Sequence, residues 1–222
     1  VDQLVVALDV ESGGRAVELA DSLRGVVGGF KIGSRLFTLE GPSIVRVLTE
    51  RGDRVFLDLK FHDIPNTVAT AVAAATELGV WMVNVHASGG SRMMEAAKQA
   101  ARDSAARSGQ QPPLVIAVTV LTSMNDELLA EAGIATPVLD QVARLARLAQ
   151  SSGLDGVVAS AQETLPIRRA CGDNFTIVTP GIRDRDAASI KDDQERTMTA
   201  AHAIAAGASY IVVGRPIIAA DD

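Results

Sequence analysis

The sequence has one cysteine, Cys171, so no disulfide forms within the chain, and Cys171 stands away from every predicted strand end, where a structural thiol is expected. It has no run of eighteen apolar residues and no basic-apolar leader, so no membrane partner is expected and a soluble, cytoplasmic protein is the default. Positive charge is in deficit: 21 Lys and Arg face 27 Asp and Glu, for a net charge of −6 and a pI near 5.1. That balance disfavours non-specific binding to phosphate backbones, so no nucleic-acid partner is expected, although a local basic pocket remains compatible with it. Gly-x-Ser-x-Gly and Gly-x-x-x-x-Gly-Lys-Ser/Thr are both missing, which argues against a serine hydrolase and a P-loop NTPase. No Pro/Ser-rich linker, charge block or low-complexity stretch divides the 222 residues, and 47% hydrophobic content suits one large domain.

What is present is an alternation. Apolar, β-prone runs recur at Leu4–Leu8, Gly29–Ile32, Val55–Leu59, Met82–Val85, Leu114–Val118, Gly156–Ala159, Thr176–Val178 and Tyr210–Val213. Alanine-rich segments with helical spacing lie between them, at Ala16–Leu23, Pro42–Glu50, Thr67–Leu78, Ser91–Ala106, Pro137–Gln150, Ala161–Ala170 and Glu195–Ala205. Short, continuously apolar strands joined by helices imply parallel pairing with both faces covered. Eight such units predict a single-domain α/β fold, the (β/α)8 TIM barrel. A doubly wound open sheet is the alternative pattern, but no Gly-x-Gly-x-x-Gly follows the first strand. The chain stops at Asp222, just past the eighth strand, so a barrel lacking its final C-terminal helix is expected.

Barrel enzymes place their chemistry at strand C-termini, and polar residues collect there: Asp9 after strand one, Lys31 on strand two, Asp58 and Lys60 on strand three, His86 after strand four. Taken singly, Asp9 serves equally as a helix cap and Lys31 as a side chain snorkelling to solvent; their convergence carries the argument. The densest cluster is Asp58-Leu59-Lys60-Phe61-His62-Asp63-Ile64-Pro65-Asn66-Thr67. Alternation along a strand points Asp58 and Lys60 to one face, and Asp63 can return from the loop, which would set one lysine between two carboxylates. A structural ion-pair network is the plainer reading of this cluster.

The charges limit the reaction. A Schiff-base lysine needs an apolar pocket or a neighbouring cation, whereas flanking carboxylates favour the ammonium. Unit charges ~4 Å apart interact by about 4 kcal/mol at an effective dielectric near 20. Lys60 is therefore expected to act as a proton donor or electrostatic stabiliser. Asp58 would repel an anionic group that the reaction removes, which suggests loss of a carboxylate followed by protonation.

Late in the chain, Thr179-Pro180-Gly181-Ile182-Arg183 and Gly214-Arg215-Pro216 close strands seven and eight, where such barrels hold phosphate. Glycines admit backbone N–H groups to an anion and arginine adds a two-pronged contact, so a phosphorylated small molecule is the expected ligand. The plainer reading gives Gly181 and Gly214 to tight turns and Arg215 to a surface ion pair. His62, His86 and His202 lack metal-like spacing, and Lys60 already supplies positive charge beside Asp58 and Asp63, so no metal is expected.

Together with Leu8-Asp9, Lys31, Thr179–Arg183 and Val213–Pro216, the Asp58–Thr67 segment resembles the orotidine 5′-monophosphate decarboxylase family, in particular its bacterial members, over nearly the whole chain. The resemblance implies cofactor-independent decarboxylation of orotidine 5′-monophosphate to UMP, the last step of de novo pyrimidine synthesis. It implies that Lys60 protonates the pyrimidine C6, that Asp58 crowds the substrate carboxylate, and that Asp9 and Lys31 bind ribose hydroxyls and complete the charged array. It further implies a homodimer with shared active sites, in which Asp63, Ile64 and Thr67 reach the neighbouring subunit's substrate. Thr122 would lie near the base, Pro180 would contact the substrate, and Arg183, Gln194, Gly214 and Arg215 would hold the phosphate beneath a closing loop. Two rivals stay open: a magnesium-dependent sugar-phosphate lyase or decarboxylase with the same Asp-x-Lys-x-x-Asp arrangement, and a non-catalytic phosphate-ligand sensor.

Overall fold

A computed structural model describes residues 2–182 and 199–220. Eight strands, β1 (Leu4–Ala7), β2 (Gly29–Gly33), β3 (Val55–Phe61), β4 (Met82–His86), β5 (Leu114–Val118), β6 (Gly156–Val158), β7 (Thr176–Thr179) and β8 (Tyr210–Val213), pair in sequence order, all parallel. The ring closes where β8 meets β1, with Leu4 opposite Ile211 and Val6 opposite Val213. The predicted (β/α)8 barrel is the observed fold.

The period of two along each strand sorts the side chains into two cores. Val5, Ala7, Phe56, Met82, Ile116, Val178 and Val212 fill the barrel interior. The alternate residues, among them Val6, Leu8, Ile32, Leu57, Val83 and Val115, face outward against the helices. At the N-terminal mouth, the Arg54 guanidinium lies 3.8 Å over the Trp81 ring, and Trp81 meets Tyr210 edge-on at 4.9 Å. That stack plugs the lower end, so a ligand has the upper, C-terminal mouth.

The helices are α1 (Gly13–Leu23), α2 (Ser34–Glu40), α3 (Ser43–Thr49), α4 (Pro65–Glu77), α5 (Ser91–Ser108), α6 (Asp126–Glu131), α7 (Val138–Ser151), α8 (Thr164–Cys171), α9 (Ala200–Ala205) and α10 (Arg215–Ile218). In α7, Val138, Val142, Leu145, Ala146 and Ala149 form the buried stripe that the helical period predicts. Sequence signals set the ends: Ser12 caps α1 through the Arg15 N–H, Pro65 opens α4, and left-handed Gly109 (φ 65°) stops α5.

Several elements depart from the sequence reading, among them the short α10 after β8. The segment predicted as one helix over Pro42–Glu50 is preceded by a second, α2, with left-handed Gly41 and Pro42 between them. The stretch between the predicted strand Leu114–Val118 and the predicted helix Pro137–Gln150, where no helix is predicted, contains α6, whose Asn125 cap accepts from the Leu128 N–H at 3.0 Å. The segment Ala161–Ala170 divides into a 3-10 turn over Ala161–Glu163 and then α8. Among the described residues no helix is long and apolar enough to cross a membrane.

Candidate active site

The upper ends of β1, β2 and β3 stand side by side, and each delivers charge. Lys31 is nearly buried on β2, and its Nζ lies 3.2 Å from Asp9 Oδ1 and 3.4 Å from Asp58 Oδ2. The Lys60 Nζ lies 2.7 Å from Asp58 Oδ1. The four groups therefore alternate in sign, Asp9, Lys31, Asp58, Lys60, and each Asp58 oxygen faces an ammonium. Gly33 makes room for this line: a Cβ there would come within 2.9 Å of the Lys31 Nζ.

Asp58 and Lys60 meet as expected, but not by simple strand alternation. Leu57 pairs with Val83 and Phe61 with Val85, so four steps along β3 match two along β4. The excess forms a bulge, in which Lys60 has φ 53°, the one positive φ at a non-glycine residue among those described. Fully buried Asn84 on β4 fills the gap: its Oδ1 accepts the Lys60 backbone N–H at 2.8 Å and its Nδ2 donates to Asp58 Oδ1 at 2.7 Å. Sequence reasoning missed Asn84. Its signal was a lone amide within the otherwise apolar Met82–Val85 run.

Asp63 requires a correction. The carboxylate does not return to Lys60 within this chain; Asp63 Oδ1 accepts the Ile64 N–H at 2.6 Å, in the exposed turn that opens α4. The cause is local: that short bond fixes the side chain on the helix entry, and Pro65 carries the backbone outward. Ile64 is 67% exposed and Thr67 is exposed beside it, so Asp63, Ile64 and Thr67 form an outward-facing group at the mouth.

A cavity of about 630 Å³ occupies the upper barrel, in the size range of small-molecule sites. Asp9, Lys31, Asp58, Lys60, Thr122, Pro180, Gly214 and Arg215 line it, over an apolar floor that includes Phe56, Val158, Val178 and Val212. Eight of the predicted residues thus share one cavity, the charged line together with Arg215 and the turns at Gly181 and Gly214. Arg183 and Gln194 lie outside the described residues. His86 ends β4 with its ring 5.3 Å from that of His62; burial pushes its imidazole below the ordinary value of 6.5, with His62 and Lys60 adding to the effect and Asp58 opposing it. Among the described residues, no three His, Cys, Asp or Glu side chains are gathered as a metal centre would require.

The chain matches the Orotidine 5′-phosphate decarboxylase / HUMPS family over residues 2–222. It belongs to that family. Orotidine 5′-phosphate decarboxylase of Syntrophotalea carbinolica is 54% identical over 220 residues, covering 99% of this chain and 89% of the relative. The decarboxylase of Moorella thermoacetica is 54% identical over 222 residues, covering 100% of this chain and 87% of the relative. Among solved structures, orotidine 5′-phosphate decarboxylase from Lactobacillus acidophilus superposes with a TM-score of 0.85 at 38% identity, covering 99% of this chain and 92% of that one. The family's barrel and the charged line at its mouth are thus found in one molecule.

Proposed function

We propose that the protein decarboxylates orotidine 5′-monophosphate to UMP, the last step of de novo pyrimidine synthesis, without metal or organic cofactor. The observation that carries this reading is the Asp58 carboxylate held between two ammoniums, at 2.7 Å from Lys60 and 3.4 Å from Lys31, inside a cavity that also presents Arg215. Names shared by relatives at 54% identity support the substrate.

In this reading Arg215 and Gly214 receive the 5′-phosphate, Asp9 and Lys31 the ribose hydroxyls, Thr122 the base, and Pro180 lines the pocket around the substrate. The substrate carboxylate is brought against Asp58, whose negative charge opposes it in a water-poor site. As the bond from C6 to the carboxylate breaks, carbon dioxide leaves and the electron pair stays on C6. Lys60 then gives its proton to that carbon. Contacts at the distant phosphate hold the reacting end against the repulsion. Both Asp58 oxygens already face ammoniums, so a divalent cation on Asp58 would have to displace them.

We also infer a homodimer with shared sites, since Asp63, Ile64 and Thr67 face outward at the mouth, and exposed Ile64 suits a surface covered by a second copy. The single free cysteine supports a cytoplasmic setting. The deciding experiment follows the absorbance of orotidine 5′-monophosphate with purified protein in excess EDTA. Conversion to UMP is expected. No conversion by folded protein, with turnover of a sugar phosphate once magnesium is added, would transfer the chain to the metal-dependent branch of its family; nucleotide binding without any turnover would make it a sensor.

A further inference from the structure

The bulge in β3 creates a backbone problem beside the charged line. Asp58, Leu59 and Lys60 stand where β4 offers one residue, Asn84, so the Lys60 N–H has no ladder carbonyl opposite it. Lys60 also adopts a left-handed backbone, which a β-branched or long side chain seldom takes without support. Asn84 answers both ends of the problem from a position with no solvent exposure. Its Oδ1 accepts the Lys60 N–H at 2.8 Å, and its Nδ2 donates at 2.7 Å to the Asp58 oxygen that the Lys60 ammonium also touches at 2.7 Å.

The amide's orientation follows from its partners. A backbone N–H must meet an acceptor and a carboxylate must meet a donor, so the flipped amide would lose both bonds. A carboxylate of the same size keeps only the first and sets a like charge against Asp58; an aliphatic residue keeps neither and buries an unpaired N–H.

We propose that Asn84 is a positioning residue for the decarboxylation: it holds Lys60 in its left-handed conformation and fixes the Asp58 carboxylate, so that proton donor and repelling charge are aimed together. The inference rests on the reaction proposed above. It predicts a loss confined to the chemical step, because ribose and phosphate are received by other residues. In Asn84→Ala, kcat should fall by about 100-fold, the scale of a misplaced reacting group, while the dissociation constant for UMP stays within about threefold.

The test measures steady-state kinetics on orotidine 5′-monophosphate, UMP binding by calorimetry, and crystal structures of the wild type and Asn84→Ala. A fall in kcat with retained UMP affinity, and Lys60 leaving the left-handed region, is the expected result. Unchanged kcat, or equal losses of kcat and UMP affinity, would overturn the proposal. Should Asn84→Ala fail to fold, Asn84→Asp keeps the size and the acceptor for the Lys60 N–H, and a kcat equal to wild type in that variant would overturn it too. An inactive wild type would instead sink the reading of the reaction. The positional part would then be judged by the crystal structures, where an unaltered bulge in the variant refutes it.

Discussion

The Lys31 ammonium on β2 stands 3.4 Å from the Asp58 carboxylate on β3, and both side chains are largely withdrawn from water, at 11% and 13% exposed. With Lys60 on its other oxygen and the Asn84 amide on the same side, Asp58 has its charge fixed in direction as well as in place. A freely rotating carboxylate would swing away from an approaching anion. This one is held, which is the condition for it to act against a substrate carboxylate.

The first prediction concerns the proton. Lys60→Ala removes the ammonium 2.7 Å from Asp58 and the proposed donor to C6. Turnover should fall by more than about 10³-fold, within the range for a positioned general acid, while the barrel stays folded because Lys60 lies at its rim. Circular dichroism and product formation read the two parts. Near-normal turnover would remove Lys60 from the role.

A second prediction separates binding from chemistry. Arg215 lines the cavity after β8. A charge-assisted contact to phosphate contributes about 1.5–3 kcal/mol, so Arg215→Ala should weaken UMP binding by about 10- to 100-fold. Titration calorimetry measures it directly, and unchanged affinity would place the phosphate elsewhere.

The third prediction tests assembly. Ile64 is 67% exposed at the mouth of the barrel, next to Asp63 and Thr67. If a second copy covers it, Ile64→Asp sets a charge in an apolar contact and shifts the protein toward monomer, with activity falling in parallel. Sedimentation across a concentration series checks this; a dimer of wild-type affinity in the variant would exclude Ile64 from the contact.

Much of this was legible in the sequence because a parallel barrel strand is buried on both faces and appears as an unbroken β-prone run. Val55–Leu59 and Leu114–Val118 could hardly have been anything else. The short helices α2 and α6 were not, since six or seven residues give too few turns for a periodic stripe, although Asn125 before Asp126 and Glu127 was a readable cap. Of the eight cavity residues, Asp9, Lys31, Asp58, Lys60 and Arg215 were found because each is charged at a strand end and Gly214 because it opens the turn after β8, whereas Thr122 and Pro180 came from the family resemblance. Asn84 was not found, because its meaning depends on a bulge in the neighbouring strand, and strand register is a long-range property. The misplaced expectation for Asp63 has a similar origin: charge pattern suggested attraction to Lys60, and an adjacent N–H won.

The last prediction concerns acid. His86 sits half-buried at the end of β4, and burial lowers its pKa from 6.5, helped by the nearby His62 and Lys60 and opposed by Asp58. The folded protein therefore holds a proton on His86 more weakly than the unfolded chain does. Above the ordinary value both states are neutral there and the group adds no slope. As pH falls from 6.5 toward the lower folded value, the unfolded chain takes up the proton first, so stability is lost across that window and the loss ends below it. His86→Gln removes the titration while keeping a polar side chain at the rim. Between about pH 7.5 and about pH 5.5 the wild-type thermal midpoint should therefore drop further than that of the variant. Parallel midpoint curves for the two proteins would show that His86 does not carry the acid sensitivity.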